Sequence, residues 1–223
     1  MAGWLMDRLI LVRHGETEWN RTGRYQGFAR TSLNEHGRWQ AEQVARRLAN
    51  WEIDAIYTSD LPRAYQTAEP IARRLRMPFN TTVALRELDV GEWEGLTVPE
   101  IQVEHAENWD ACLVDPIRTR LTGGESFAEL AERVEVAFHQ WQVQHAGQVV
   151  LAVTHGGPIQ VLVCTILGLP LRFRRRLRIG NTSITTLAHH NGQWSLDTLN
   201  DTAHLEDIQT PCPESTIENT TAP

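Results

Sequence analysis

Arg8-Leu-Ile-Leu-Val-Arg-His-Gly15 is the stretch on which the fold turns. Its four central residues are apolar without alternation, the pattern of a strand buried on both faces in the middle of a parallel sheet. The run stops at His14-Gly15, where a turn is expected. A second run of the same kind, Gln148-Val-Val-Leu-Ala-Val153, ends in Thr154-His155-Gly156-Gly157. Open α/β sheets place their ligand crevice at the C-terminal ends of strands. Two strand-end histidines, each followed by glycine, therefore face one crevice if their strands are neighbours.

Around these strands the period changes. Residues 34–49 predict a helix with Asn34 as N-cap and Gln40, Val44, Ala45 and Leu48 near helical spacing. Residues 53–57 read as a strand, 61–75 as a helix with Pro62 in its first turn, and 78–83 as a further extended piece. Glu125 to His145 repeats helical spacing through Phe127, Leu130, Val134, Ala137, Phe138 and Trp141, and another helix runs from Gly156 through Leu167. Strands at 183–189 and 193–199 flank Asn191-Gly192, a strong hairpin signal. Residues 88–124 carry Gly91, Gly95, Pro99, Pro116 and Gly123-Gly124, and predict an irregular insertion over the site. The order predicts one α/β domain over 1–205, followed by a flexible Pro-, Thr-, Glu- and Asn-rich tail over 206–223.

A chain of 223 residues buries roughly 70% of the surface its unfolded form exposes, so it needs neither disulfide nor metal for a core. Hydrophobic residues at 41% and charged residues at 22% are those of a soluble globular protein. A net charge of -7, from 21 basic and 28 acidic side chains, argues against a nucleic-acid binder. The one basic run, Arg172-Phe-Arg-Arg-Arg-Leu-Arg178, reads first as a solvated helix end or loop, and second as an anionic-substrate rim. No apolar run reaches the ~18 residues of a membrane span, and no signal-peptide core follows the N-terminus. Cys112, Cys164 and Cys212 are widely spaced and odd in number, as expected of reduced thiols in a cytoplasmic protein. They and the histidines show no metal-ligand spacing, so no metal and no cofactor is expected. Of eight tryptophans, Trp39, Trp51 and Trp141 read as core, whereas Trp19 and Trp93 neighbour the motifs and are candidates to wall a pocket.

Leu11-Val-Arg-His-Gly-Glu-Thr-Glu-Trp-Asn20 resembles the Arg-His-Gly signature of the histidine phosphatase superfamily, which includes cofactor-dependent phosphoglycerate mutases and many small-molecule phosphatases. The resemblance extends from about residue 8 to about 200. It includes Ser59-Asp-Leu-Pro-Arg-Ala-Tyr-Gln-Thr-Ala68, Arg86-Glu-Leu-Asp-Val-Gly-Glu-Trp-Glu-Gly95, Gly123-Gly-Glu-Ser126 and Val153-Thr-His-Gly156. Arg-His-Gly alone is a weak signal; four motifs in order are very specific. The resemblance implies a three-layer α/β/α sandwich with a mostly parallel central sheet.

It also implies the site. His14 resembles the nucleophile, which takes a phosphoryl group onto a ring nitrogen and so needs a neutral imidazole held by an acceptor at its other nitrogen. Arg13 and Arg63 match the phosphate-binding arginines, whose forked guanidiniums suit phosphoryl oxygens. His155 matches the second histidine, a charged or hydrogen-bonding stabiliser of the transferring group. Glu87 matches the acid, which protonates the leaving alcohol and then takes a proton from water. Asp89, Glu92 and Glu94 stand close by, and the choice among the four rests on the resemblance. Asn20 matches a phosphate contact and reads equally as a cap. Gln26 and Gly27 match a pocket-lining loop. Thr154 either caps the site or bonds locally, and Asn181 either orients pocket groups or serves a turn.

Residues 95–124 contain no lysine and no Arg-Arg pair, only Arg118 and Arg120. Mutases resembling the glycolytic enzyme carry a longer insertion there, with Lys and adjacent arginines. The expected function is therefore a metal-independent phosphomonoesterase acting on a small phosphorylated metabolite. The alternatives are a cofactor-dependent phosphoglycerate mutase and a non-catalytic phosphate-binding module. Which metabolite is not legible: sugar phosphates, phosphoglycerate and its glycosyl esters, phosphoserine and cobalamin precursors all fall within the superfamily's range. No nucleic-acid or membrane partner is expected, and the final hairpin offers an edge for a homodimer.

Overall fold

The computed structural model describes residues 5–206. Six strands form one sheet: β1 (Arg8–Arg13), β2 (Ala55–Ser59), β3 (Asn80–Thr82), β4 (Val149–Thr154), β5 (Ile184–His190) and β6 (Gln193–Asp201). Seven α-helices accompany them: α1 (Glu18–Arg21), α2 (Glu35–Leu48), α3 (Pro62–Leu75), α4 (Val98–Glu104), α5 (Ala106–Val114), α6 (Phe127–Gln144) and α7 (Gly156–Ile166). The sheet order is β3-β2-β4-β1-β5-β6. β3, β2, β4 and β1 are parallel, and β5 and β6 close the sheet antiparallel.

Strand side chains alternate between two cores, which is why the central strands read as uninterrupted apolar runs. Leu9 and Leu11 of β1, with Val150 and Ala152 of β4, face α6 and α7. Ile10 and Val12, with Leu151 and Val153, face α2 and α3. The result is the expected three-layer α/β/α sandwich.

The described elements depart from expectation in particular places. The strand expected at 53–57 lies at Ala55–Ser59, and residues 88–124 are not irregular throughout, because they hold α4 and α5. Trp39 is not core: it is 40% exposed and stacks on His36. Trp141 is buried, and Trp51 packs partly buried against the α2/α3 core. Arg174 in the basic run is not solvated but buried in a 3₁₀ turn over Leu171–Arg176. Of the expected tail, residues 207–223 lie outside the described residues. Among the described residues no helix is long and apolar enough to cross a membrane.

Candidate active site

β1 and β4 are neighbours, with Arg13 opposite Thr154, so His14 and His155 emerge side by side. The His14 backbone N–H donates to the Thr154 carbonyl at 2.9 Å, and the two imidazole centroids lie 5.1 Å apart. His14 Nδ1 stands 2.7 Å from the Gly15 carbonyl. A carbonyl oxygen can only accept, so Nδ1 carries the proton and Nε2 keeps its lone pair. Burial, followed by the Arg63 and Arg13 guanidiniums, holds the His14 pKa well below the usual histidine range. Both influences favour the neutral ring that a nucleophile requires.

Gly15 is bare because a Cβ there would sit 2.5 Å from the Gly37 carbonyl oxygen. Its N–H donates to Thr67 Oγ1 at 3.0 Å, and that hydroxyl donates to the Arg63 carbonyl at 2.7 Å. The turn bearing His14 is thereby tied to the helix bearing Arg63.

Arg63 is fully buried, and its pKa is pushed down to about 10 by burial, which the Glu87 carboxylate opposes. It remains a cation at neutral pH. Its two terminal nitrogens donate to the carbonyls of Ala29 (2.9 Å) and Gly27 (2.8 Å). Arg13 donates to the Ile179 carbonyl at 2.7 Å. His155 Nε2 lies 2.9 Å from Ser59 Oγ, which accepts from the Leu61 N–H and is free to donate its own hydrogen to the ring. Burial first, then Arg63, His14, Arg13 and Arg133, hold the His155 pKa well below the usual range. Arg13 Nε, Arg63 Nε and His155 Nδ1 are buried and have no partner in the protein. Such groups are costly unless satisfied, and the two arginine donors, on residues that line the cavity with His14, suit the oxygens of a phosphoryl group.

Glu87 faces these cations from the turn after β3. Its carboxylate accepts from the Gly157 N–H at 3.1 Å, in the first turn of α7, and from the Leu88 N–H at 2.9 Å. Asp89 caps the Gly91 N–H instead, and Glu94 and Glu92 do not line the catalytic cavity. Arg133 of α6, which sequence reasoning missed, holds this turn. It donates to the carbonyls of Ala84, Arg86 and Glu87 within 3.1 Å and pairs with Glu125 at 2.8 Å.

The cavity over these groups holds about 310 Å³. Arg13, His14, Arg63 and Glu87 line it, as do Asn20, Gln26 and Gly27. Asn20 is a cap, its Oδ1 accepting from the Thr17 N–H in a capping box, and it is also among the residues that line the cavity. Gln26 accepts from Thr31, and Gly27 has φ +47°, where a Cβ would meet Val90 at 2.6 Å. Thr154 is corrected: its hydroxyl donates to the Leu85 carbonyl at 2.7 Å, and it steadies the Glu87 turn rather than lining the pocket. Asn181 orients the site, donating to the His14 carbonyl at 3.0 Å. Trp93 stands behind the pocket wall, in contact with Tyr25 and Trp109. Among the described residues, no group of three His, Cys, Asp or Glu side chains could hold a metal ion.

The family model for the histidine phosphatase superfamily (branch 1) matches residues 9–202. The chain belongs to that superfamily. It is 39% identical, over 91% of its length and 97% of the relative's, to a probable phosphoglycerate mutase GpmB of Proteus mirabilis. It is 34% identical to phosphoserine phosphatase 1 of Hydrogenobacter thermophilus, covering 90% and 95% of the two chains. The solved mycobacterial glucosyl-3-phosphoglycerate phosphatase in complex with VO3 superposes with TM-score 0.77 at 34% identity, over 87% and 98% of the chains. The superfamily and the phosphatases among its relatives mark this member as an enzyme of phosphoryl transfer.

Proposed function

We propose that this superfamily member hydrolyses phosphomonoesters of small metabolites without a metal, through a phosphohistidine on His14. The observation that carries the reading is the His14 ring, held by Gly15 in the Nδ1–H tautomer beside the buried Arg63 and the half-buried Arg13. Nε2 attacks phosphorus in line with the departing oxygen. Arg13, Arg63 and His155 gather the equatorial oxygens, and Glu87 gives its proton to the alcohol. Water then attacks the phosphohistidine, Glu87 takes a proton from it, and inorganic phosphate leaves. Asn20, Gln26 and Gly27 shape the substrate pocket. The unpaired thiols of Cys112 and Cys164 support a reducing, cytoplasmic setting. The nine-residue edge strand β6 supports a homodimer.

Mutase activity is the second reading, favoured by the GpmB-named relative. A mutase must hold a second phosphate while water is excluded, which demands unspent cations beside the pocket. Arg118 and Arg120 do not line it, Arg120 pairs with Glu129, and Arg24, which does line it, pairs with Glu100. The test is a phosphorus NMR time course on 3-phosphoglycerate with catalytic 2,3-bisphosphoglycerate. Phosphate release or no change is expected; rapid equilibration with 2-phosphoglycerate would establish the mutase. Rapid quench with labelled substrate should leave label on the wild-type protein, and none on His14→Ala. Chelator should leave turnover intact.

A further inference from the structure

A second cavity of about 190 Å³ lies against the catalytic one, and Tyr25, Leu88, Phe127 and Gln160 belong to the walls of both. Its far side is made by Trp93, Trp109, Cys112 and Leu121, with Arg174 and Arg175 beside them. Trp93 is the hub, with its ring 5.9 Å from both Tyr25 and Trp109. The insertion helix α5 thus supplies a wall of this space through Trp109 and Cys112, which accounts for a helix whose own residues are none of them buried.

The polar groups in this wall are distinctive. Arg174 is 2% exposed, stacks its guanidinium 3.5 Å over Phe127 and donates to the Pro116 carbonyl at 3.1 Å. Its Nε has no partner, and neither has Trp93 Nε1; both are buried. Trp93 and Arg174 both line the cavity, and each carries a buried N–H without a protein partner, whose hydrogen bond a ligand acceptor reaching it would complete. The size is equally restrictive. An apolar cavity of roughly 150 Å³ holds one benzene ring. A serine or glycerate leaving group would leave much of this volume unfilled.

We propose that this second cavity is the leaving-group subsite, and that the substrate is a phosphomonoester whose alcohol carries a planar ring with a hydrogen-bond acceptor on its edge. The phosphoryl group sits at His14, a short aliphatic linker passes between Tyr25 and Phe127, and the ring lies against Trp93 and Trp109. The assignment rests on the phosphatase reading for turnover, but not for binding.

Binding and turnover are therefore measured separately. Propylphosphonate, 3-phenylpropylphosphonate and 3-(pyridin-4-yl)propylphosphonate are titrated calorimetrically into the wild-type enzyme, and the three corresponding phosphate esters are assayed for phosphate release. Burying the ring should tighten binding over propyl by roughly 10- to 100-fold, with pyridyl ahead of phenyl. The kcat/KM values should rise in the same order, since the three alcohols are similar leaving groups. In Cys112→Trp, which fills the space from α5, the ring preference should collapse toward one. Equal affinity of the three phosphonates for wild type overturns the subsite whatever the variant does. Ring-selective binding with no hydrolysis of any ester would leave the subsite standing and overturn the phosphatase reading instead.

Discussion

Gly157 and Glu87 are matched so closely that one methyl group separates a positioned acid from a displaced one. A Cβ on Gly157 would stand 2.3 Å from Glu87 Oε1. Glu87 reaches that point at the end of a flexible side chain, so it can swing aside without disturbing α7. Gly157→Ala, whose Cβ would also stand 3.2 Å from Leu130, is therefore expected to fold with a small shift in melting temperature and to behave as an acid-deficient enzyme. Glu87→Gln sets the scale: loss of a positioned acid costs about 10²–10⁴-fold. The loss should be large for alkyl phosphates, whose alkoxides need a proton on leaving, and small for p-nitrophenyl phosphate, whose phenolate does not. Parallel kcat/KM measurements on both substrates for both variants decide it. Equal losses on the two substrates would remove Glu87 from the acid role and bring Asp89 forward.

Helix α6 does more than fill the α6/α7 side of the core. Its N-cap Ser126 forms a capping box with Glu129, Phe127 walls both cavities, and Arg133, one turn and a half further on, clamps the carbonyls beneath Glu87. Arg133→Ala is expected to lower kcat for alkyl phosphates with little change in KM, because the clamp positions the acid and touches no substrate. Arg133→Lys should recover little of it, since one ammonium cannot replace a fork that reaches three carbonyls and a carboxylate. An equal loss on p-nitrophenyl phosphate would make Arg133 a stability residue only.

The apolar stripe of α6 was legible in the sequence because packing imposes a helical period. Arg133 was not, because apart from Glu125 its partners are backbone carbonyls, which leave no trace in residue identity. The same contrast holds for α4 and α5. Thr97-Val-Pro-Glu100 is a capping box with Pro near its start, but Ile101 is the sole buried residue of α4, and α5 has none. Without a buried stripe there was no period to read, and the glycines and prolines around them argued for loop. The residues proposed as catalytic were marked by motifs, and the pairing of β1 with β4 brings His14 and His155 together. Arg174 was read as solvated because nothing local shows whether a guanidinium turns inward, and the two readings of Thr154 stay open in the sequence for the same reason.

For the whole molecule, burying neutral histidines links stability to pH. His14 and His155 are held well below their usual pKa by burial and by the arginines, and His204 is lowered by burial. In the unfolded chain each would titrate near pH ~6.5. Between that value and their depressed folded values, the unfolded state binds more protons, so stability rises with pH. The contribution is complete above about pH 6.5 and is lost as pH falls below it. A competing effect has the opposite sign, because the net charge of -7 shrinks on acidification and relieves self-repulsion. Each buried histidine contributes up to about 1.4 kcal/mol per pH unit, whereas surface repulsion is screened beyond roughly 8 Å at physiological salt. The histidines should win. Above about pH 5.5, ordinary carboxylates are roughly nine-tenths or more ionised in either state, so the histidines dominate the window from there to 6.5. Denaturant unfolding at a series of pH values should show stability falling across this window. The slope should flatten in His14→Asn with His155→Asn, and inorganic phosphate should protect the wild type more than that variant. An identical slope in the two proteins would mean that neither ring is held neutral in the fold, and the electrostatic basis for His14 as nucleophile would fall with it.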